Sequence, residues 1–135
     1  LSNTVEQKLA RLDQYLNGLK AKLTVRLAIL FGSLVRGDWT QSSDIDILLV
    51  ADELSRDPGE NYARLKSYGV EPFAFNTEEF LRQVARPNPL ALDALQYGLV
   101  VTADEEYRKK VFMAFDETKK RLHLRWVNGR WVWGR

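Results

Sequence analysis

Residues 44–50 read DIDILLV. The continuous apolar end of this stretch marks a strand buried on both faces. Alternate residues of a strand point the same way, so Asp44 and Asp46 project together while Ile45 and Ile47 point to the other side. A carboxylate at the mouth of a buried strand is costly unless something pairs with it. Two that are both ionised also repel, unless a cation lies between them. A divalent metal is the natural partner for such a pair.

The segment upstream supplies the complement. Thr24–Phe31 (TVRLAILF) reads as a strand rich in β-branched and apolar residues. Gly32 breaks it, and Ser33 is expected to cap a short helix running through Arg36. Glycine lets a backbone approach a ligand closely, and a helix starting there aims free N–H groups at phosphate oxygens. Ser33 adds a hydroxyl. Arg36 adds either a charge-assisted phosphate contact or a structural salt bridge. Ser43 caps or orients Asp44 and completes the candidate binding set with Gly32, Ser33 and Arg36. The Lys-Ser/Thr ending of a Walker-type loop is absent. A pair of metals held by carboxylates activates an attacking oxygen and stabilises a leaving one in phosphoryl chemistry. Glu71, at the start of the third expected strand, is the candidate for the third carboxylate.

Composition narrows the chemistry further. The 135 residues contain no cysteine, which excludes disulfides, thiolate catalysis and Cys-type zinc sites, and His123 is the only histidine. Any metal is therefore held by oxygen, which favours Mg²⁺ or Mn²⁺. The length suits one compact domain, and 45% hydrophobic with 28% charged residues is a soluble mix. No apolar run reaches the roughly 18–20 residues of a membrane span, and no signal-peptide pattern is present, so a cytoplasmic protein is expected. Net charge is only +2, but Lys119, Lys120, Arg121, Arg125, Arg130 and Arg135 stand without an acid in residues 118–135. Such a tail attracts phosphates or an acidic partner, or is a solvated surface.

Val5, Leu9, Leu12, Leu16, Leu19 and Leu23 form one apolar stripe on an N-terminal helix of about five turns. It packs on the core or makes a seam with another chain, though three heptads are short for a coiled coil. Pro58-Gly59 is expected in a loop, followed by a short helix near Asn61–Ser67 that Gly69 ends. A strand follows at Val70–Phe75, then a helix over Thr77–Val84 and another over Pro89–Tyr97. Gly98–Thr102 is a short strand. Asp104–Leu122 is a long helix whose acidic start and basic end suit the helix dipole. His123 reads as a helix-end residue. Asp93, Asp104 and Glu105 read as ordinary helix acids.

The chain ends LRWVNGRWVW before Gly134. Asn128-Gly129 is a strong hairpin signal. A two-residue turn there sets Trp126 opposite Trp131 and Leu124 opposite Trp133, with Arg125, Val127, Arg130 and Val132 on the other side. The aromatic face is expected to bury against the chain's own core. The alternatives are a protein contact or a stacking surface for bases. A competing reading extends the long helix through Trp126.

Phe31-Gly32-Ser33, ten intervening residues, then Asp44-Ile45-Asp46-Ile47 resembles the signature of the DNA polymerase β-like nucleotidyltransferase superfamily. The fuller run GSLVRG…SSDIDILLV resembles its minimal nucleotidyltransferases, small prokaryotic proteins often paired with a HEPN-domain partner. The resemblance is strong over residues 24–50, moderate to about Tyr107 and weak beyond. It implies an α/β (α+β) fold, a small mixed sheet flanked by helices, with residues 24–107 as catalytic core in a single domain of 1–135. The N-terminal helix (1–23) and a C-terminal helix with its aromatic basic tail (108–135) would flank that core. It implies transfer of a nucleoside monophosphate from ATP or another NTP to an acceptor. Asp44 and Asp46 match the metal ligands, Gly32 and Ser33 the triphosphate-binding pair, and Glu71 the third acidic position. That third position commonly holds Asp in the family, and here Pro72 follows it.

Two functions of different class follow. One is a Mg²⁺- or Mn²⁺-dependent nucleotidyltransferase that adenylylates a HEPN-type toxin partner as its antitoxin. A small-molecule acceptor fits less well, because no extra substrate domain is present. The other is a catalytically weak or inactive module that binds NTP or its partner and neutralises the partner by forming a complex. Either reading allows a homo-oligomer or hetero-complex. A chain this short has no room for the template-holding parts of a DNA polymerase. Nothing in the sequence reads the nucleobase.

Overall fold

The computed structural model describes residues 4–134. In chain order the elements are α1 (Val5–Lys20), β1 (Val25–Phe31), α2 (Ser33–Arg36), β2 (Ile45–Ala51), α3 (Pro58–Leu65), β3 (Val70–Phe75), α4 (Thr77–Ala85), α5 (Pro89–Tyr97), β4 (Leu99–Ala103), α6 (Glu105–Leu122), β5 (Arg125–Val127) and β6 (Arg130–Val132). Four strands form one sheet in the order β3-β2-β1-β4. β1 is antiparallel to β2 and β4, and β2 is parallel to β3, so the sheet is mixed as expected.

The apolar end of β2 explains the layering. Ile47, Leu48, Leu49 and Val50 are each buried, and neighbours along a strand face opposite sides. Leu48 and Val50 join Leu27, Ile29 and Phe75 beneath α4, α5 and α6. Ile47 and Leu49 join Ala28, Leu30 and Ala74 beneath α1 and α3. β3 is an edge strand, where the N–H that Pro72 lacks is least missed.

Side chains that satisfy free N–H groups start the helices. Thr4 and Gln7 form a capping box at α1, and Asn76, Asn88 and Asp104 cap α4, α5 and α6. The expected bounds of α3 are corrected. Pro58-Gly59 is no loop: Pro58 is the first helical residue, Asp57 accepts from the Gly59 N–H, and the helix closes at Leu65. A fixed φ suits proline to that first position. Gly69 (φ +78) instead belongs to the turn that enters β3, where Ser67 bridges Val70.

The stripe on α1 is covered only in part. Leu12 and Leu16 are buried, and so is Leu23 just beyond the helix, whereas Val5 and Leu9 are exposed. Lys8 is buried among them, because its ammonium donates to the Ser43 carbonyl at 2.6 Å and the Gln41 carbonyl at 3.5 Å. It also lies over the Trp39 ring.

The C-terminal hairpin forms with Trp126 opposite Trp131. Asn128 (φ 49) and Gly129 (φ 80) supply the two left-handed residues of its turn. His123 (φ 51) closes α6, so the helix does not run on to Trp126. Burial of the aromatic face is corrected to a partial one. Trp131 and Leu124 pack on the core, but Trp126 and Trp133 stay 42% and 54% exposed. Among the described residues, no helix is long and apolar enough to cross a membrane.

Candidate active site

Asp46 stands on β2 directly between Phe31 of β1 and Glu71 of β3. Residues opposite one another in a ladder share a face, so the two carboxylates lie side by side at the end of the sheet. Asp44 sits just before β2 and is exposed. Asp46 is half-buried, and its carboxyl is pushed above the usual range, first by burial and then by the charges of Glu71 and Asp44. Arg36 and Lys66 pull it back only in part. Ionising Asp46 is therefore costly, chiefly because it is buried and then because two other acids stand near it.

Glu71 is the best supplied of the three. Its carboxylate accepts from the Tyr62 hydroxyl at 2.8 Å and from the Lys66 ammonium at 2.8 Å. The Lys66 bond is the main reason its carboxyl lies below the usual range. The same bond raises Lys66, whose ammonium also lies 3.5 Å from Asp44 Oδ2. The hydrogen bond to Glu71 likewise raises the Tyr62 hydroxyl. A protein cation thus reaches two of the three acids. Among the described residues, no three acidic or histidine side chains make a ready metal cluster. The donors are nonetheless carboxylate oxygens, which suit a hard divalent cation. Tyr62 and Lys66 were not foreseen. They stand one helical turn apart, and that spacing just before the strand carrying Glu71 was the available signal.

Gly32 adopts φ +78 and ψ −151 at the N-cap of α2. A β-carbon there would overlap Asp46 Oδ2 and lie 3.0 Å from its Cγ. The site needs glycine for this contact as well as for its backbone angle. Ser33 is corrected from cap to first helical residue: Gly32 takes the cap position and no side chain caps α2. Arg36 is exposed, with Nε 3.4 Å from Asp38. Ser43 is used within its own loop, where its hydroxyl accepts from the Thr40 N–H at 2.8 Å. Its carbonyl receives Lys8, so α1 fastens the loop that delivers Asp44.

A cavity of about 410 Å³ opens beside Gly32, with Phe31, Val35 and Arg36 along the same wall. Asp93 and Tyr97 of α5 and Trp126 of β5 form the other wall. Asp93 is therefore not an ordinary surface acid. Its Oδ1 accepts the Trp131 indole N–H at 2.9 Å.

Over residues 12–122 the chain matches the nucleotidyltransferase domain family, and it belongs to that family. It is 51% identical over 43 residues to a Methanocaldococcus jannaschii protein provisionally named a protein adenylyltransferase. That match covers 30% of this chain and 43% of the relative's length. Solved structures share the fold. A provisionally named nucleotidyltransferase from Sulfolobus solfataricus superposes with a TM-score of 0.53 at 20% identity, over 76% of this chain and 86% of that one. A toxin–antitoxin structure with AMP-PNP gives 0.54 at 18% identity, over 81% and 90%. A mutant of the toxin–antitoxin pair MntA-HpeT gives 0.52 at 16% identity, over 81% and 89%.

Proposed function

We propose that this chain is a metal-dependent nucleotidyltransferase that moves AMP from ATP to an acceptor hydroxyl. The acceptor would be a HEPN-type toxin partner, for which the chain serves as antitoxin, in the cytoplasm. The whole chain is taken as one domain, with residues 24–107 as its catalytic core. One observation carries the reading: the half-buried Asp46 is wedged against Gly32, with Asp44 and Glu71 beside it. Membership of the family and the adenylyltransferase name of the Methanocaldococcus relative support it. So does the AMP-PNP in a toxin–antitoxin structure of the same fold.

In the reaction the acceptor oxygen bonds to the α-phosphorus of ATP. The bond from that phosphorus to the bridging oxygen breaks, and pyrophosphate leaves. Asp44 and Asp46 would hold the divalent cation, with Glu71 as third ligand. A divalent cation held there would supply Lewis-acid chemistry that offsets charge on the phosphates. Gly32 and Ser33 sit where the triphosphate passes, and Arg36 faces its charge. Glu71 would also take the acceptor's proton, which requires it to part from Lys66 and Tyr62.

That same engagement of Glu71 favours the second reading, a module that binds nucleotide or partner and transfers slowly. Mn²⁺ binding followed by electron paramagnetic resonance separates the metal assignment from both. Wild type should bind Mn²⁺, and Asp44→Asn with Asp46→Asn should not. Equal binding by the two would remove the aspartate pair from the account.

A further inference from the structure

The cavity between α2, α5 and the C-terminal hairpin has no role in the chemistry above, and the aromatic tail has none either. We propose that this cavity holds the nucleobase of the NTP, with Tyr97 and Trp126 as aromatic walls and Asp93 as its hydrogen-bond acceptor. The base it selects presents an amino group, as adenine does. The inference rests on the nucleotidyltransferase reading and deepens it.

Continuity is the first argument. Gly32 and Arg36 belong to the catalytic end of the sheet and also line this cavity. A nucleotide whose phosphates lie at Gly32 has this space beside it for the rest of the molecule. Its volume of about 410 Å³ falls within the usual range of ligand pockets, about 300–1,000 Å³.

Chemistry is the second. Tyr97 and Trp126 meet edge to face with ring centroids 5.5 Å apart. They remain 51% and 42% exposed, although both are large apolar groups. Half-exposed aromatic side chains of this kind offer stacking surfaces to a base. Asp93 supplies direction. Its Oδ1 is taken by the Trp131 indole, and no hydrogen bond from another described residue is made to Oδ2. An ionised carboxylate only accepts, so it matches an amino group and repels a keto oxygen at the same position.

Positioning is the third. Trp131 packs its ring against Phe115 of α6, and it faces Trp126 across the hairpin with centroids 5.5 Å apart. The indole bond to Asp93 therefore fixes the acceptor and, through the hairpin, one aromatic wall. Trp131 acts here as a positioning residue.

The test is equilibrium binding to the full chain in Mn²⁺, with ATP, UTP and inorganic tripolyphosphate as ligands. Wild type should prefer ATP to UTP. Trp126→Ala should weaken ATP about tenfold or more, on the scale of one lost stacking contact. It should leave tripolyphosphate unchanged, and Trp126→Phe should recover most of the loss. Asp93→Asn keeps an oxygen for Trp131 but turns a donor to the cavity, so it should erase or reverse the preference for ATP. If Trp126→Ala loosens the hairpin, Tyr97→Ala on α5 decides the matter by the same comparison. ATP binding unchanged in both alanine variants, or ATP and tripolyphosphate weakened equally, would overturn the proposal. Failure of the underlying reading looks different: tripolyphosphate binding would then be indifferent to Asp44→Asn with Asp46→Asn.

Discussion

Gly32 and Asp46 are so close that a single methyl group on the glycine would overlap the carboxylate. The end of β1 and the start of β2 are thereby locked together at the candidate site. Gly32→Ala forces a side chain into φ +78 and pushes Asp46 aside. We expect a stability loss of about 1–3 kcal/mol and a larger proportional loss of nucleotide transfer. Thermal denaturation beside a transfer assay checks both. A variant with wild-type transfer would show that the contact does not position Asp46.

Burial, with Glu71 and Asp44 beside it, disfavours the ionised form of Asp46. Its raised folded pKa means that its stabilising contribution is present at low pH and is lost as pH rises through the folded value. At neutral pH the charged form is a burden on the fold. Asp46→Asn should therefore raise the melting temperature by a few degrees in chelator at pH 7, while abolishing transfer. A lower melting temperature would contradict the cost of ionising Asp46 in this burial.

Lys66 stands in the same balance with the opposite sign. Lys66→Met removes the cation that reaches Glu71 and Asp44. Without metal the variant should lose about 1–2 kcal/mol, since the partly exposed ion pair contributes little but the bond to the Val70 carbonyl goes with it. Mn²⁺ should bind it more tightly than wild type, because the metal no longer competes with an ammonium. Weaker Mn²⁺ binding would show that Lys66 supports the metal site.

Lys8 tests whether α1 serves the active site. Its buried ammonium holds the Ser43 carbonyl just ahead of Asp44. Lys8→Met fills the same space but leaves that carbonyl unpaired, at a cost of about 1.5–3 kcal/mol. Transfer should fall as well, because the loop no longer aims Asp44. Loss of stability with full activity would make α1 a structural element only.

Tyr15 gives an alkaline signature. It donates to the Leu65 carbonyl at 2.9 Å, and burial pushes its hydroxyl up to about 12. A raised folded pKa contributes stability below the ordinary value of 10, and that contribution is lost as pH rises towards 12. Tyr15→Phe should remove one late-ionising phenol from the ultraviolet titration and flatten stability over that interval. An unchanged titration curve would contradict the burial of this hydroxyl.

What could be read in the sequence was local. Asp44, Asp46 and Gly32 announce themselves by spacing, and the apolar run of β2 requires cover on both sides of the sheet. Contacts between distant positions were hidden. Lys8 meets Ser43 across 35 residues, and Trp131 meets Asp93 across 38, so no periodicity could pair them. Pro58-Gly59 misled because the residues that favour a turn also open a helix when Asp57 stands ready to cap it. Ser33 misled in the same way. The chain uses Gly32 at the cap, because only glycine tolerates both its φ and the nearness of Asp46.

The central claim is that Asp44 and Asp46 support metal-dependent transfer of AMP. The most direct measurement supplies α-labelled ATP and Mg²⁺ to the chain together with a HEPN-type partner, for wild type and for Asp44→Asn with Asp46→Asn. The account predicts label on the partner with wild type and none with the double variant. Equal labelling by both proteins would contradict it.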